Sequence, residues 1–137
     1  MRNLTLCLAT MLAAAAAPAA TRQSAQERGE AELAKQLEGL VPGKPQQCVS
    51  LSQIDGSNII DRTAIVYRGI GGVIYVNRPG GAEMLHDDDI PVQYVWGSQL
   101  CRLDRIKLLD RSTRMERGFA NLGEFVPYTK PGKKAVD

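Results

Sequence analysis

The sequence is short of the residues on which most enzyme and metal sites depend. Its 137 residues include one histidine, His86, and three cysteines, with no Cys-x-x-Cys or Gly-x-Ser-x-Gly motif. A histidine-based zinc or iron site needs more than one imidazole, and a Ser-His-Asp triad would have only His86 as its base. We therefore predict no catalytic residue set and no cofactor, and we favour a protein that is not an enzyme.

Aromatic residues are scarce as well, at 5% of the chain. Large aromatic side chains readily fill the core of a small β domain, whereas a binding platform would need several of them on one outward face. We therefore expect the core to take most of the tryptophan and tyrosine side chains, which are Trp96, Tyr67, Tyr75, Tyr94 and Tyr128.

Neither sign of charge dominates the chain. It has 17 Lys and Arg against 15 Asp and Glu, a formal net charge of +2. Nucleic-acid binding needs a concentrated basic face that displaces counterions, and a purely electrostatic membrane anchor needs a polybasic segment. The near balance of charge therefore predicts neither a nucleic-acid partner nor such an anchor.

Residues 1–20 have the pattern of a signal peptide. Arg2 is followed by an apolar run and then by small residues around Pro18, which is typical of a cleavable export signal. The apolar run is too short to span a bilayer. We expect cleavage near Ala20 and a periplasmic or secreted protein that does not span the membrane.

Two cysteines, Cys48 and Cys101, remain after cleavage, because Cys7 would leave with the signal. Exported proteins meet an oxidising compartment, so we expect one disulfide between the two. The alternative is a pair of free, buried thiols. Closing a loop of about 50 residues would stabilise the fold by roughly 4 kcal/mol on the chain-entropy model.

Residues 21–45 predict one helix followed by a Pro/Gly linker. Leu33 and Leu37 recur at helical spacing, and Ser24 with Glu27 three residues later matches a capping box. The pattern leaves open whether the helix packs on the rest of the protein or serves as a tether.

Residues 46–128 predict a β domain. Short runs rich in Val, Ile and Tyr alternate with turn residues, and residues 69–72 indicate a hairpin turn. Six to seven short strands after one helix favour a mainly β fold, either a small antiparallel barrel or a sandwich. Residues 129–137 are expected to form a polar tail.

Five short motifs follow one another within the predicted β domain. They are Cys48-Val49-Ser50-Leu51 with Ile54-Asp55, Ile65-Val66-Tyr67-Arg68, Tyr75-Val76-Asn77-Arg78, Leu100-Cys101 with Asp104 and Ile106, and Leu122-Gly123-Glu124-Phe125-Val126-Pro127-Tyr128. In order and spacing they resemble a family of small exported bacterial proteins that share a conserved domain of unknown function. The resemblance brings no agreed activity.

The resemblance does bear on the cysteines. Members of that family carry two further cysteines, at places where this chain has Ala82 and Ala120. The resemblance implies that those two pair with each other, and that Cys48 and Cys101 form the other bridge. It also implies that the loop at residues 79–91 is more mobile here than in relatives.

The acidic run after His86 is the first candidate site. Adjacent residues of an extended chain point to opposite sides, so His86 and the three aspartates after it would rarely bind one metal ion together. No calcium-loop motif is present. We interpret the run as an exposed acidic loop, with His86, Asp87 and Asp89 as weak metal candidates and Asp87 and Asp89 on the same side.

Four further residues are binding candidates. Asn77 and Arg78 end a predicted strand, where they would either face a ligand or cap the turn at residues 79–81. Asp104 and Arg105 begin another strand, where the aspartate would either pair with arginine in a cleft or accept a backbone hydrogen bond in a turn.

The function favoured by these observations is an exported, non-enzymatic binding or structural module. Its partner would be an envelope protein, a glycan or a lipid headgroup, the last two met by an arginine rim of Arg111, Arg114 and Arg117. The alternative is a small hydrolase or a divalent-cation-binding protein that uses His86 with nearby aspartates.

Overall fold

The structure is a computed structural model that describes residues 23–133. The predicted signal peptide and the last four residues of the predicted tail lie outside this range. The described chain is mainly β with one α-helix, as predicted. Its elements are α1 (Ala25–Gln36), β1 (Val41–Pro42), β2 (Cys48–Ser50), β3 (Ile54–Ile60), β4 (Ala64–Gly69), β5 (Ile74–Asn77), β6 (Asp89–Gln93), β7 (Gln99–Cys101), β8 (Arg105–Asp110), β9 (Glu116–Asn121) and β10 (Phe125–Thr129).

The strands form three antiparallel sheets. The largest has the order β1-β10-β5-β4-β3, and two smaller sheets have the orders β2-β7 and β6-β8-β9. The described part of the chain thus has ten strands and no closed barrel, so the expected count of six to seven was too low. Two of the missed strands carry turn-forming residues: β1 includes Pro42, and β3 includes the run Asp55-Gly56-Ser57-Asn58.

The five-stranded sheet is covered on both faces, and β4 shows this most clearly. Successive side chains of a strand point to opposite faces. Ile65 and Tyr67 enter the main core, whereas Ala64 and Val66 pack against the helix side. The hairpin predicted at residues 69–72 is confirmed, because β4 and β5 pair on either side of it.

The main core lies between the five-stranded sheet and the two smaller sheets. Its rings include Tyr67 and Phe125, whose centroids are 5.7 Å apart. Burial raises the pKa of the Tyr67 hydroxyl, which accepts a hydrogen bond from Gln93 Nε2 at 2.8 Å. The buried members of this core are Val49, Ile59, Ile65, Tyr67, Val73, Tyr75, Leu85, Leu100, Ile106, Leu108, Ala120, Leu122 and Phe125.

The helix α1 packs on the opposite face of the five-stranded sheet, which answers the question left open by the sequence. Leu33 is 2% exposed and joins a second core cluster with Ile60 and Val76. The predicted capping box is present, since Ser24 and Glu27 exchange side-chain and backbone hydrogen bonds. The segment after α1, predicted as a linker, contributes β1, which pairs with β10.

The predicted disulfide is also confirmed. Cys48 on β2 and Cys101 on β7 are direct cross-strand partners, and their Sγ atoms are bonded. The bridge therefore joins the two strands of the smallest sheet to each other. It closes a chain segment with a sequence separation of 53.

Candidate binding surface

The structure does not arrange the three weak metal candidates as one metal site among residues 23–133. The Nδ1 atom of His86 lies 3.6 Å from Asp61 Oδ1, and both side chains are about one-third exposed. Asp87 lines an open cavity of about 290 Å³ with Arg28, Glu32 and Asp61. Among residues 23–133, no group of three or more His, Cys, Asp or Glu side chains is arranged to hold a metal ion.

Asp89 lies in a different environment from its neighbours. It is the first residue of β6, its side chain is fully enclosed, and it stands directly across from Asp110 on β8. The interpretation of residues 86–89 as an exposed loop is therefore wrong for Asp89. Since Asp89 belongs to a paired strand and Asp87 to the turn before it, the two do not share one side of an extended chain.

Arg117 reaches this buried carboxylate from β9. A register shift in the β8–β9 ladder leaves Arg117 as an extra residue, and such a bulge redirects a side chain. Its Nη1 atom is 3.4 Å from Asp89 Oδ1 and 3.9 Å from both Asp88 and Asp110. Arg117 is thus occupied by carboxylates, unlike the solvated rim residue that the sequence predicted.

Asn77 has a structural environment. The residue is 0% exposed at the end of β5. Its side-chain amide donates to the Gly123 carbonyl at 2.8 Å and accepts from the Gly123 N–H at 2.9 Å. Both polar ends of the amide are therefore satisfied within the protein.

Arg78 connects the sheet to the helix. Its guanidinium donates two hydrogen bonds to the Glu30 carboxylate on α1, at 2.6 and 2.8 Å. The hydrogen bond from Arg78 lowers the pKa of Glu30 below its usual value, and the same bond raises the pKa of Arg78. The structure therefore uses this candidate to hold two elements together.

Asp104 has the turn role that the sequence offered as one of two readings. One carboxylate oxygen accepts a hydrogen bond from the Cys101 N–H at 2.7 Å. Arg105, which follows, turns outward and places its guanidinium 4.5 Å from the centre of the Phe119 ring. The two candidates thus point to different parts of the molecule and do not form a carboxylate–arginine pair.

The expectation that the core would take most aromatic side chains fails at two positions. Tyr67 and Tyr75 are buried, but Tyr94 is 66% exposed and Trp96 is 98% exposed. Trp96 lies in the five-residue connection between β6 and β7, next to Gly97, whose φ of 106° suits a glycine. Among the described residues, Trp96 has the most exposed large apolar side chain.

The topology brings a second exposed loop to the same end of the three-stranded sheet. Gln93, the last residue of β6, pairs with Ile106 near the start of β8. The segment after β6 and the turn before β8 therefore lie at one end of the sheet. That turn carries Arg102, which is exposed, and Leu103, which is 69% exposed.

We call this region the loop-end surface. It combines three exposed apolar side chains with two exposed arginines, and it comprises Tyr94, Trp96, Arg102, Leu103 and Arg105.

Cationic side chains continue from the loop-end surface along the outer face of the sheet. Lys107 lies 5.6 Å from the centre of the Tyr94 ring and contacts Glu116 at 2.9 Å. The hydrogen bond to Glu116 raises the pKa of Lys107. A positive charge near the face of an aromatic ring is attracted to it. Lys107 therefore stabilises the position of the Tyr94 ring, and Arg105 that of the Phe119 ring.

Two open cavities lie near the loop that carries Trp96, and one of them is lined by the neighbouring residue Val95. One of about 460 Å³ is open and lies beside the disulfide, where it is lined by several glutamines. Another of about 340 Å³ lies between β3 and β6. Trp96 lines neither of them, so a partner would meet this side chain on a protruding surface.

Comparison with known proteins gives no match: no family model, characterised protein or solved structure is significantly similar to this chain. In the range 23–133, no helix has the length and apolar character needed to cross a membrane.

Proposed function

We propose that the protein is an exported, non-enzymatic binding module that binds an anionic partner in the bacterial envelope through its loop-end surface. The observation that carries this proposal is the 98% exposure of Trp96, in a loop that also exposes Tyr94 and at an end of the sheet where Leu103 is exposed as well. Single exposed apolar residues are ordinary on protein surfaces, but a group of them marks an interaction site.

The size of the tryptophan supports a partner. A Trp side chain buries a large area when it is covered, and tryptophan is enriched among the residues that contribute most to binding. Arg102 and Arg105 lie at the same end of the sheet and give the surface a positive character. Arginine recognises carboxylate and phosphate groups through paired hydrogen bonds, which favours an anionic partner.

The alternative of a hydrolase or cation-binding protein centred on His86 has less support. The carboxylate nearest to His86 belongs to Asp61, beyond hydrogen-bond distance at 3.6 Å. Asp104 contributes its carboxylate to a turn, and Asp89 is enclosed beside Arg117. Asp104 and Asp89 are therefore committed to other contacts and do not serve His86.

Export is supported by the signal-like pattern of residues 1–20 together with the disulfide. Structural disulfides persist in oxidising compartments such as the periplasm and are rare in the cytosol.

Trp96 provides the test, because it is the only tryptophan of the chain and reports on the proposed surface directly. We expect its fluorescence to change when the protein is titrated with anionic probes, either dextran sulfate or vesicles that contain phosphatidylglycerol. The change should weaken as salt is added, since exposed charges are screened. Neutral dextran and pure phosphatidylcholine vesicles serve as uncharged controls.

Charge reversal locates the surface. The double variant Arg102→Glu/Arg105→Glu should lose binding to the anionic probe. The matched variant Arg28→Glu/Arg62→Glu changes two exposed arginines elsewhere and should retain it. Absence of any response to both anionic probes, or equal loss in the two variants, would contradict the proposed function.

A further inference from the structure

We infer that the anionic partner is the surface of a lipid bilayer, with Trp96 and Leu103 entering its headgroup region; this inference rests on the binding role proposed above.

The exposure of Trp96 favours a bilayer over a small ligand or a single glycan chain. Binding sites for small ligands are concave, so that protein walls cover much of the ligand. Trp96 is 98% exposed, which means that almost none of the side chain is covered by a protein wall. A bilayer needs no such wall, because lipid surrounds a side chain that protrudes into it.

The chemistry of the loop-end surface matches a membrane interface. Trp and Tyr have an apolar ring and one polar group, and they are enriched where membranes meet water. Arg102 and Arg105 lie beside them and can contact lipid phosphates. Near an anionic membrane, each such cation contributes roughly 1 kcal/mol, so apolar insertion and charge act together.

The conformation of Leu103 is a second, independent observation. Its φ is 72°, in the left-handed region that a leucine rarely adopts. The turn holds it there: the Leu103 N–H donates to the Leu122 carbonyl, and the Asp104 carboxylate accepts from the Cys101 N–H. Backbone strain of this kind persists where surrounding structure enforces it, and here it projects an apolar side chain into solvent.

The strand between the two protruding side chains is anchored in the protein. β7 connects the Trp96 loop to the Leu103 turn, and its central residue, Leu100, is 1% exposed in the main core. Cys101 at the end of β7 is bonded to Cys48. The strand that joins the two loops is therefore fixed before a partner binds, which reduces the entropic cost of binding.

The experiment uses the protein purified from the periplasm of an expressing bacterium. It is mixed with vesicles of phosphatidylcholine, with and without phosphatidylglycerol, and with vesicles whose acyl chains carry bromine. On anionic vesicles we expect co-flotation, a blue shift of Trp96 emission and quenching by the brominated chains. Bromine quenches only a nearby indole, so quenching reports insertion.

Two variants measure the contribution of the inserted side chains by flotation. We expect Trp96→Ala and Leu103→Ser each to weaken the partition onto anionic vesicles by about tenfold. Ile70→Ser is the matched control: Ile70 is 67% exposed, and it lies on the β4–β5 hairpin, outside the loop-end surface. It should leave partition unchanged.

The outcomes separate this inference from the proposed function. A response to dextran sulfate without binding to anionic vesicles would overturn the bilayer and leave the binding module standing. Vesicle binding that shows no bromine quenching, or that survives both variants, would overturn insertion. Absence of binding to both dextran sulfate and anionic vesicles would contradict both proposals.

Discussion

The side-chain amide of Asn77 binds the Gly123 backbone in the way that the backbone of a neighbouring strand would. Its amide gives Gly123 the two hydrogen bonds that a neighbouring strand would supply. Gly123 must be a glycine, because a Cβ there would lie 2.5 Å from the Arg78 carbonyl oxygen. The sequence allowed Asn77 to bind a ligand or to cap the next turn, and neither reading identified Gly123, which is 46 residues away.

Asn77→Ala should lower the free energy of unfolding by about 1–2 kcal/mol, because it leaves the half-buried Gly123 N–H and carbonyl without their partner. Urea unfolding followed by circular dichroism measures the loss. Asn121→Ala is the matched control, since Asn121 is an exposed strand residue and its change should stay within about 0.5 kcal/mol. Equal effects of the two substitutions would contradict the role given to Asn77.

The Glu30–Arg78 pair predicts a dependence of stability on pH. The pKa of Glu30 is lowered in the folded protein, so its contribution is present above the unfolded value of about 4.5 and is lost as the pH falls through the folded value. Both side chains are about half exposed, which limits the contribution to roughly 0.5 kcal/mol.

Comparison of the wild type with Glu30→Gln in urea should show this difference at pH 7 and not at pH 3. Glu32→Gln, on the same helix, is the control and should match the wild type at both values. A Glu30→Gln difference that stays the same at pH 3 would rule out the carboxylate as its source.

At the scale of elements, α1 is fitted to the turn between β3 and β4. Gly29 is buried, and a Cβ at this position would overlap Thr63 Oγ1 and the Asp61 carbonyl oxygen. The leucine spacing and the capping box were enough to predict the helix. Its docking depends on a glycine that, in the sequence, looks only like a weak point of the helix.

Gly29→Ala should therefore destabilise the protein, although alanine has a higher helix propensity than glycine. In an exposed helix this change gains about 1 kcal/mol, but here the overlap should cost about 1–3 kcal/mol net. Ala34→Gly, on the exposed side of the same helix, should lose about 1 kcal/mol by propensity alone. Thermal and urea unfolding of both variants check the sign, and stabilisation by Gly29→Ala would contradict the close packing of α1.

The strands differ in how well the sequence predicted them. Runs of Val, Ile and Tyr marked β4 and β5, because both faces of these strands are buried. The polar run in β3 resembles a turn, yet it forms a strand at the edge of its sheet, where one side needs no partner. The start of β6 was missed because Asp89 is a charged residue at a buried position.

The exposed position of Trp96 was beyond sequence reasoning for a related reason. Composition predicts that a small core competes for aromatic residues, but it does not say which ones the core receives. Tyr67, Tyr75 and Phe125 lie on strands that face the main core, whereas Trp96 lies in a loop between two different sheets. That placement depends on strands β6 and β7 joining separate sheets, which residue patterns do not encode.

At the scale of the whole molecule, the disulfide stabilises the fold by reducing the number of conformations open to the unfolded chain. The bridge closes a segment with a sequence separation of 53, which includes β3 to β6. Loss of such a constraint typically costs about 2–4 kcal/mol. The prediction is that dithiothreitol lowers the urea midpoint of the wild type, while the double variant Cys48→Ala/Cys101→Ala starts lower and does not respond.

The proposed export leads to a further prediction about the same bond. If residues 1–20 are removed during export as proposed, protein collected from the periplasm and denatured without reductant should not react with a thiol reagent, because Cys48 and Cys101 are bonded to each other. Protein retained in the cytosol by deletion of residues 1–20 should react at both and unfold at the lower midpoint. Full thiol reactivity of the periplasmic protein, or equal midpoints for the two preparations, would mean that the oxidising compartment is not part of how this fold is stabilised.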